Sequence, residues 1–568
     1  MNRTVMKAIL ILAAQVVTAA FFLSAQVSVQ DIAGDWEGTL HTGADLHLVL
    51  HITKGNDGAL KATLDSVDQK AYGIPVSSVS LKDSKLALDV AAVHGTYDGK
   101  VAGDGKTISG TWSQGQPLPL DFTRSTKEQK AVKPSDIDGA WMGTLEVSGG
   151  IKLRVVFHIM NTEDGLVATL DSVDQGVKGL PTTKVTRDGA TLKIDIEKIS
   201  GAFEGKIAAD LSSIDGTFTQ GSSMPLALHP LKDESELELR RPQNPTKPYP
   251  YRDEDVSYEN KVQSVTLAAT LTIPNGKGPF PAVVLITGSG SQDRDESLLG
   301  HKPFLVLSDY LTRHGIAVLR ADDRGTGKST GNFATATTAD FATDTEAGVA
   351  YLKTRPEINP HKIGLIGHSE GGVVAPMVAA RNPDVAFIVM MAGPGVRGDE
   401  ILPAQVQAIA EASGESHEEA EKAATKEREV LTLIETEKDQ AVLVRKLKGK
   451  MAGDKREAQV GAEIKLFTSP WFEFFITYDP ATALRKVTCP VLAINGEKDT
   501  QVPPKQNLPA IRQALEQAGN KHFEADELPG LNHLFQTAKT GSPAEYAQIE
   551  ETISPVALEK MASWILKQ

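Results

Sequence analysis

Sliding the sequence against itself by about 105 residues brings two stretches into register, and this internal repeat constrains the fold more than any other feature. Asp31-Ile32 with Trp36, Gly38 and Leu40 recurs as Asp136-Ile137 with Trp141, Gly143 and Leu145. Leu64-Asp65-Ser66-Val67-Asp68-Gln69 recurs as Leu170-Asp171-Ser172-Val173-Asp174-Gln175, and Gln114-Gly115 is matched by Gln220-Gly221. Inside each copy, alternating runs such as Leu46 to Ile52 and Leu153 to Ile159 are separated by Gly, Asp and Asn turns, the mark of short strands. Two copies of roughly 95 residues are too few and too long for a solenoid. Residues 31–125 and 136–230 are therefore expected to be tandem all-β domains, each with its own core and joined by the polar segment Ser125 to Ser135. His47, His51 and His158 fall on strands, where they are expected to face solvent or neighbouring side chains and not to form a metal site.

Charge and cysteine content narrow the function classes. With 59 Lys+Arg against 73 Asp+Glu the formal charge is -14, which repels phosphate backbones, so no nucleic-acid partner is expected. The single cysteine, Cys489, excludes disulfide frameworks and Cys-based zinc clusters, and no motif implies a cofactor or a metal. Arg3 and Lys7 precede an uncharged apolar run from Ala8 to Leu23, closed by the small residues Ser24 and Ala25. This is the layout of a signal peptide over residues 1–25, with an uncleaved anchor as the alternative, and it places the protein in the periplasm or outside the cell.

Residues 231–255 are rich in Pro and charge, with Pro242, Pro245, Pro248 and Pro250, and read as an extended linker. Over residues 256–568 the pattern changes to short apolar strands, at Pro281 to Thr287, Ile316 to Ala321, Ile363 to Ile366, Val385 to Met391 and Val491 to Asn495. Helical periodicity fills the gaps, for instance Phe341 to Thr354. That alternation predicts a mostly parallel sheet with helices on both faces. A charged, helix-forming insertion from about Arg397 to Thr482 interrupts it and ends in an aromatic cluster of Trp471, Phe472, Phe474, Phe475 and Tyr478. Because it leaves the sheet after one strand and returns before the next, the insertion is expected to form a helical cap over the sheet edge, with some of these aromatics in its own core and others lining the substrate pocket.

Gly367-His368-Ser369-Glu370-Gly371 lies directly between a strand and a helix-like run. A serine on such a turn is held in a strained backbone that exposes its hydroxyl at the C-terminal edge of the sheet, and the glycines relieve the contacts around it. Gly327-Lys328-Ser329-Thr330-Gly331 has the same spacing but follows its strand only after a longer loop, and it is not a phosphate loop because Asp322 stands where the first glycine is required. A serine needs a base and an orienting carboxylate. Beyond the insertion only His522 and His533 remain; His522 opens an apparent strand, so His533, in the loop Pro529 to His533, is the base. For the acid, Asp499 is preferred to Glu497 by its place in the loop Asn495 to Asp499. The order Ser369, Asp499, His533 is that of an α/β-hydrolase triad.

Together with Thr287 to Asp293 and Asp323-Arg324-Gly325-Thr326-Gly327, these segments resemble the α/β-hydrolases, and among them bacterial secreted esterase-like and S33-peptidase-like members with a helical cap. The resemblance covers a little over half of the chain and says nothing about the repeats. It implies a covalent acyl-serine mechanism, with an oxyanion hole formed by the backbone N–H of Glu370 and one from the loop Gly288-Ser289-Gly290, for which Ser289 is the choice. The chain departs from the commonest form of that loop, carrying Thr287 where a histidine is usual. Asp293, Arg294 and Asp295 are either part of an active-site network or a solvated charge run, and His368 packs beside the serine.

The expected activity is that of a serine hydrolase of carboxylic esters (class 3.1.1) acting on small or medium acyl groups. Trp471, Phe472 and Phe475 are the expected substrate-binding side chains. A peptidase or amidase using the same triad is the alternative, and a non-catalytic surface-binding protein a remote one. The partner is a small ester or peptide, and the β repeats are expected to dock to a cell surface or polymer.

Overall fold

The computed structural model describes residues 32–568 apart from 42–44, 56–57, 69–70, 91–92, 94, 115, 126–132, 148–150, 163–164, 176, 221, 238 and 452–456. The expected signal-peptide segment 1–25 therefore lies outside the described residues. Two compact units result, one holding both repeats and the other beginning at Leu239.

Each repeat is a curled antiparallel meander of nine strands among the described residues, spanning Gly34–His41 to Gln116–Arg124 in the first and Gly139–Val147 to Ser222–Pro230 in the second. In both, the first strand pairs with the ninth as well as with the second, so the sheet wraps around its own apolar side chains. The repeated motif has a repeated purpose. The indole N–H of Trp36 donates to the Ile32 carbonyl at 2.9 Å and that of Trp141 to Ile137 at 2.8 Å, which satisfies the one polar atom of a ring placed in the core. The Leu-Asp-Ser-Val-Asp-Gln motif supplies two carboxylates that tie down backbone. Asp65 and Asp171 each accept from a glycine N–H at 2.6 Å, Gly73 and Gly179, both at positive φ. Asp68 and Asp174 accept from the N–H groups of His47 and Arg154. The strand histidines face carboxylates: His47 meets Asp68, His158 meets Asp171, and His51 lies between Asp35 at 2.7 Å and Asp65 at 2.9 Å.

The second unit is built on an eight-stranded sheet in the order Arg252–Asn260, Val265–Ile273, Ala317–Ala321, Phe280–Ile286, Ile358–His368, Phe387–Met391, Val491–Gly496, Phe523–Leu528. The first two strands form an antiparallel hairpin, and from Ala317–Ala321 onward all neighbours are parallel. Alternation decides which face each side chain covers. Ala282, Val284 and Ile286 pack with the helices Thr338–Lys353 and Pro504–Gln517 on one side, whereas Val283 and Leu285 pack with Pro303–Arg313 and Pro555–Ile565 on the other. After Phe280–Ile286 the chain runs first to the strand on one side of it and then to Ile358–His368 on the other. The loops leaving these two strands therefore diverge and open a crevice at the C-terminal edge, where open α/β sheets hold their ligands.

The expected linker 231–255 requires correction. From Leu239 onward this stretch belongs to the second unit. Its prolines keep it extended, but the side chains between them find partners: Arg241 donates to the carbonyls of Leu299 and Ala547 at 2.8 Å, Gln243 to that of Ile553 at 2.7 Å, and the Tyr251 hydroxyl to Asp309 at 2.8 Å. The edge strand Arg252–Asn260 also starts inside it.

Between Phe387–Met391 and Val491–Gly496 the insertion folds into helices Gly398–Ala412, His417–Thr436, Gln440–Met451, Glu457–Phe467, Pro470–Thr477 and Ala481–Leu484. Leu431, Ile434, Leu447, Ile464, Phe472 and Ile476 form its separate apolar core.

Candidate active site

The strand Ile358–His368 ends in a turn at Ser369, and the helix Gly371–Ala379 follows at once. Ser369 has φ of 51°, a left-handed conformation that a residue with a β-carbon adopts only when its surroundings impose it. Here the surroundings are crowded backbone. A Cβ on Gly367 would stand 1.9 Å from the Gly371 carbonyl oxygen, and one on Gly371 would stand 2.2 Å from that of Ile286. Ser369 is half-buried, whereas His368 and Glu370 are buried.

His533 follows the loop that leaves the strand Phe523–Leu528, and Asp499 the loop that leaves Val491–Gly496. The His533 Nδ1 meets both Asp499 oxygens, at 3.0 and 2.9 Å, and the Asp499 side chain is fully buried. Asp499 Oδ1 also accepts from the N–H groups of Gln501 at 2.9 Å and Val502 at 2.8 Å, which fixes the carboxylate independently of the histidine. Glu497 is exposed and instead accepts from Gly530 N–H at 2.8 Å, holding the histidine loop. His522 lies at the opposite end of the sheet, exposed, one residue before the strand. Ser369 and His533 are neighbours through His368, whose Nε2 is 3.1 Å from the His533 carbonyl and whose ring centroid is 4.9 Å from that of His533. Their reacting atoms, Ser369 Oγ and His533 Nε2, are not hydrogen-bonded to each other in this structure.

Ser329 is excluded as a competitor. It is buried, its hydroxyl donates to the Asp322 carbonyl at 2.8 Å, and its oxygen accepts from Ala268 N–H at 2.9 Å.

Gly288 faces the elbow, since a Cβ there would lie 3.3 Å from that of Ser369. Its N–H is taken by Glu296 Oε1 at 2.8 Å, so it offers no donor. The N–H groups of Ser289 and Glu370 carry no hydrogen bond among the described residues.

Glu296, which sequence reasoning missed, is buried, and the same Oε1 meets His368 Nδ1 at 2.9 Å. One carboxylate thus clamps the glycine loop to the residue before Ser369. Burial works against a charged His368, yet the Glu296 carboxylate outweighs it and raises the imidazole above its usual range. Asp323 holds the same loop from behind, accepting from the Thr287 hydroxyl at 2.8 Å and Gln292 N–H at 2.9 Å. Burial pushes its carboxyl up to about 7, against those two hydrogen bonds and with the help of nearby Glu370 and Glu296. Arg294 pairs with Asp322 and Asp295 with Arg320, so the Asp293 to Asp295 run braces the loop and is not a solvated charge run.

The cap helix Pro470–Thr477 sorts its aromatics by i,i+4 faces. Trp471 stacks on Phe475 with centroids 5.3 Å apart, and Phe474 stacks on Tyr478 at 5.1 Å. Phe472 turns with Ile476 into the cap core, which corrects its expected place in the substrate pocket. Phe475 does line a pocket beside the elbow, together with Phe474, Tyr478, Thr338 and Glu370. Trp471 reaches the elbow differently: its indole N–H donates to Glu370 Oε1 at 2.8 Å, because a part-buried indole needs an acceptor.

Part of the chain resembles known proteins. Residues 263–527 match the family profile described as X-Pro dipeptidyl-peptidase (S15 family). Over 313 residues the chain is 28% identical to esterase EstD of Thermotoga maritima, covering 55% of this chain and 68% of that protein. The second unit has the α/β-hydrolase fold. Solved structures similar to it include the esterase Pf2001 of Pyrococcus furiosus (17% identity, TM-score 0.35, 56% of this chain and 93% of that one). Another is Est1E of Butyrivibrio proteoclasticus with bound ferulic acid (21%, TM-score 0.33, 55% and 98%). The profile match lies within the second unit.

Proposed function

We propose that the chain is a serine hydrolase of carboxylic esters that works through an acyl-enzyme on Ser369. The observation that carries this reading is the pairing of His533 with the buried Asp499, held one residue away from the strained turn bearing Ser369. In the reaction, His533 Nε2 takes the proton from Ser369 Oγ as that oxygen attacks the ester carbonyl, while Asp499 fixes the ring through Nδ1–H. The N–H groups of Glu370 and Ser289 receive the charge that forms on the carbonyl oxygen. The proton on His533 then goes to the departing alcohol, and water attacks the acyl-serine by the same route in reverse. The similarity to an esterase favours ester substrates. The match to a dipeptidyl-peptidase profile favours a second reading, hydrolysis of peptides by the same residues. On the N-terminal pattern, the reaction takes place after export.

The test is turnover of p-nitrophenyl acyl esters beside aminoacyl-nitroanilides. Esters are expected to be favoured, and Ser369→Ala is expected to lower kcat on the order of 10⁶-fold without unfolding the protein. Near-native activity of that variant would refute the assignment.

A further inference from the structure

The residue after the serine carries a side chain whose contacts are incomplete. Glu370 is 3% exposed. Its Oε1 accepts two hydrogen bonds, from the Thr338 hydroxyl at 2.6 Å and the Trp471 indole at 2.8 Å. Its Oε2 is buried without a partner among the described residues. A buried carboxylate oxygen left unpaired is costly, so such an atom points to a partner that arrives with a ligand. Glu370 faces a pocket whose other walls are apolar or aromatic, among them Val373, Val396, Phe475 and Tyr478. The free space there is about 10 Å³, close to that of one water molecule. Burial also raises the Glu370 carboxyl above its usual range, against the two hydrogen bonds on Oε1.

We infer that Glu370 determines specificity, its Oε2 pairing with a hydroxyl on the acyl group of the substrate, so that the enzyme prefers hydroxyacyl esters to plain alkanoyl esters. The inference rests on Ser369 being the nucleophile: the acyl carbon is then bonded one residue away from Glu370. The chemistry of the pocket selects a hydroxyl over an ammonium. An ammonium brings three donors and a full charge, and the apolar walls would leave two of those donors unpaired. A hydroxyl needs one good partner and is small enough for the space. A plain alkyl group brings no donor and leaves Oε2 unpaired, and a site built for a hydrogen bond rejects the analogue lacking it more strongly than an apolar pocket rejects a missing methylene.

The experiment compares kcat/KM for the p-nitrophenyl esters of 2-hydroxybutyrate, 3-hydroxybutyrate, butyrate and 2-aminobutyrate, with the full chain and with Glu370→Leu and Glu370→Gln. In the native enzyme one hydroxybutyrate is expected to exceed butyrate by about 10- to 100-fold, the range of a hydrogen bond to a buried strongly polar group. The 2-aminobutyrate ester should fall below it. Glu370→Leu should bring the hydroxybutyrate-to-butyrate ratio to about one or below, and because the ratio is taken within one variant, any loss of overall activity cancels. Glu370→Gln keeps an acceptor for Thr338 and Trp471 and presents an amide that can pair with a hydroxyl oxygen, so part of the preference should return. If Glu370→Leu fails to fold, the native panel alone decides. Equal rates on butyrate and both hydroxybutyrates, preference for the aminoacyl ester, or a ratio unchanged in Glu370→Leu would each overturn the inference. Failure of the serine assignment looks different, because Ser369→Ala would then still hydrolyse the whole panel.

Discussion

Asp499→Asn isolates the electrostatic part of the site from its architecture. The side chain is fully buried, with Oδ1 accepting from the Gln501 and Val502 N–H groups, Oδ2 from the Asn495 amide at 3.4 Å, and both oxygens facing His533 Nδ1. Asparagine keeps the shape and can leave its oxygen on the two backbone donors. Its amide then points at Nδ1 and demands an acceptor there, which places the imidazole proton on Nε2, where it can no longer take one from Ser369. Loss of tautomer control in a serine triad costs about 10⁴-fold in kcat, or about 5 kcal/mol at 1.36 kcal/mol per decade. Because the oxygen's backbone contacts survive, the melting temperature should change little. The assay is steady-state hydrolysis of p-nitrophenyl butyrate beside a thermal melt, with Glu497→Gln as the control, since Glu497 only holds Gly530 N–H and glutamine can accept the same bond. Near-native turnover in Asp499→Asn, with collapse in Glu497→Gln, would refute the reasoning and move the acid to Glu497.

Three further outcomes follow from other parts of the molecule. Ser329→Ala leaves the buried Ala268 N–H without its acceptor, so it should cost about 1–3 kcal/mol of stability in a denaturant melt while kcat stays near native. A chain truncated to begin at Leu239 should keep its activity on small esters and its melting temperature, whereas one beginning at Asp253 loses the Arg241, Gln243 and Tyr251 contacts and should melt several degrees lower; equal melting of the two would show those contacts to be idle. Burial opposes charge on His51, but its hydrogen bonds to Asp65 and Asp35 win and raise its pKa from 6.5 to about 9. Its contribution is therefore complete below pH 6.5 and lost as pH rises through 9. The shift corresponds to about 3 kcal/mol at most, reduced to about 1–2 kcal/mol by solvent around a ring that is not fully buried. Hydrogen exchange over Asp45 to Ser66 should speed up between pH 6.5 and 9 beyond its intrinsic rise, and His51→Gln should remove that excess.

Much of this arrangement is local enough to be legible in sequence. The serine turn, its strand and its helix are consecutive residues, and the glycines there are dictated by backbone closer than 2.5 Å to any Cβ on Gly367 or Gly371. Asp499 and His533 could be found because each sits in a loop that follows a strand of recognisable pattern. The all-β repeats announced themselves because their Trp and Asp motifs perform local hydrogen bonding twice over. What escaped was held by partners distant in sequence. Glu296 acts on Gly288 and on His368, 72 positions away, and nothing in the run Asp293 to Glu296 marks that carboxylate as different from its neighbours. Residues 239–251 read as a linker because proline and charge are common to linkers and to extended segments that lie on a surface; only the positions of Leu299, Ala547 and Ile553 in the fold distinguish them. Phe472 and Phe475 are three residues apart in one aromatic run, and the phase of the helix Pro470–Thr477 sends one to the cap core and the other to the pocket.

Covalent labelling distinguishes an activated Ser369 from every other hydroxyl of the chain. The native protein is treated with a small alkyl fluorophosphonate, which phosphonylates a serine only where a base removes its proton, and is then digested and mapped by mass spectrometry. A single adduct is expected on the peptide carrying Gly367-His368-Ser369-Glu370-Gly371, absent in His533→Ala and blocked by a competing ester. An adduct on Ser329 or another serine, or none on a protein that hydrolyses esters, would contradict the assignment of Ser369.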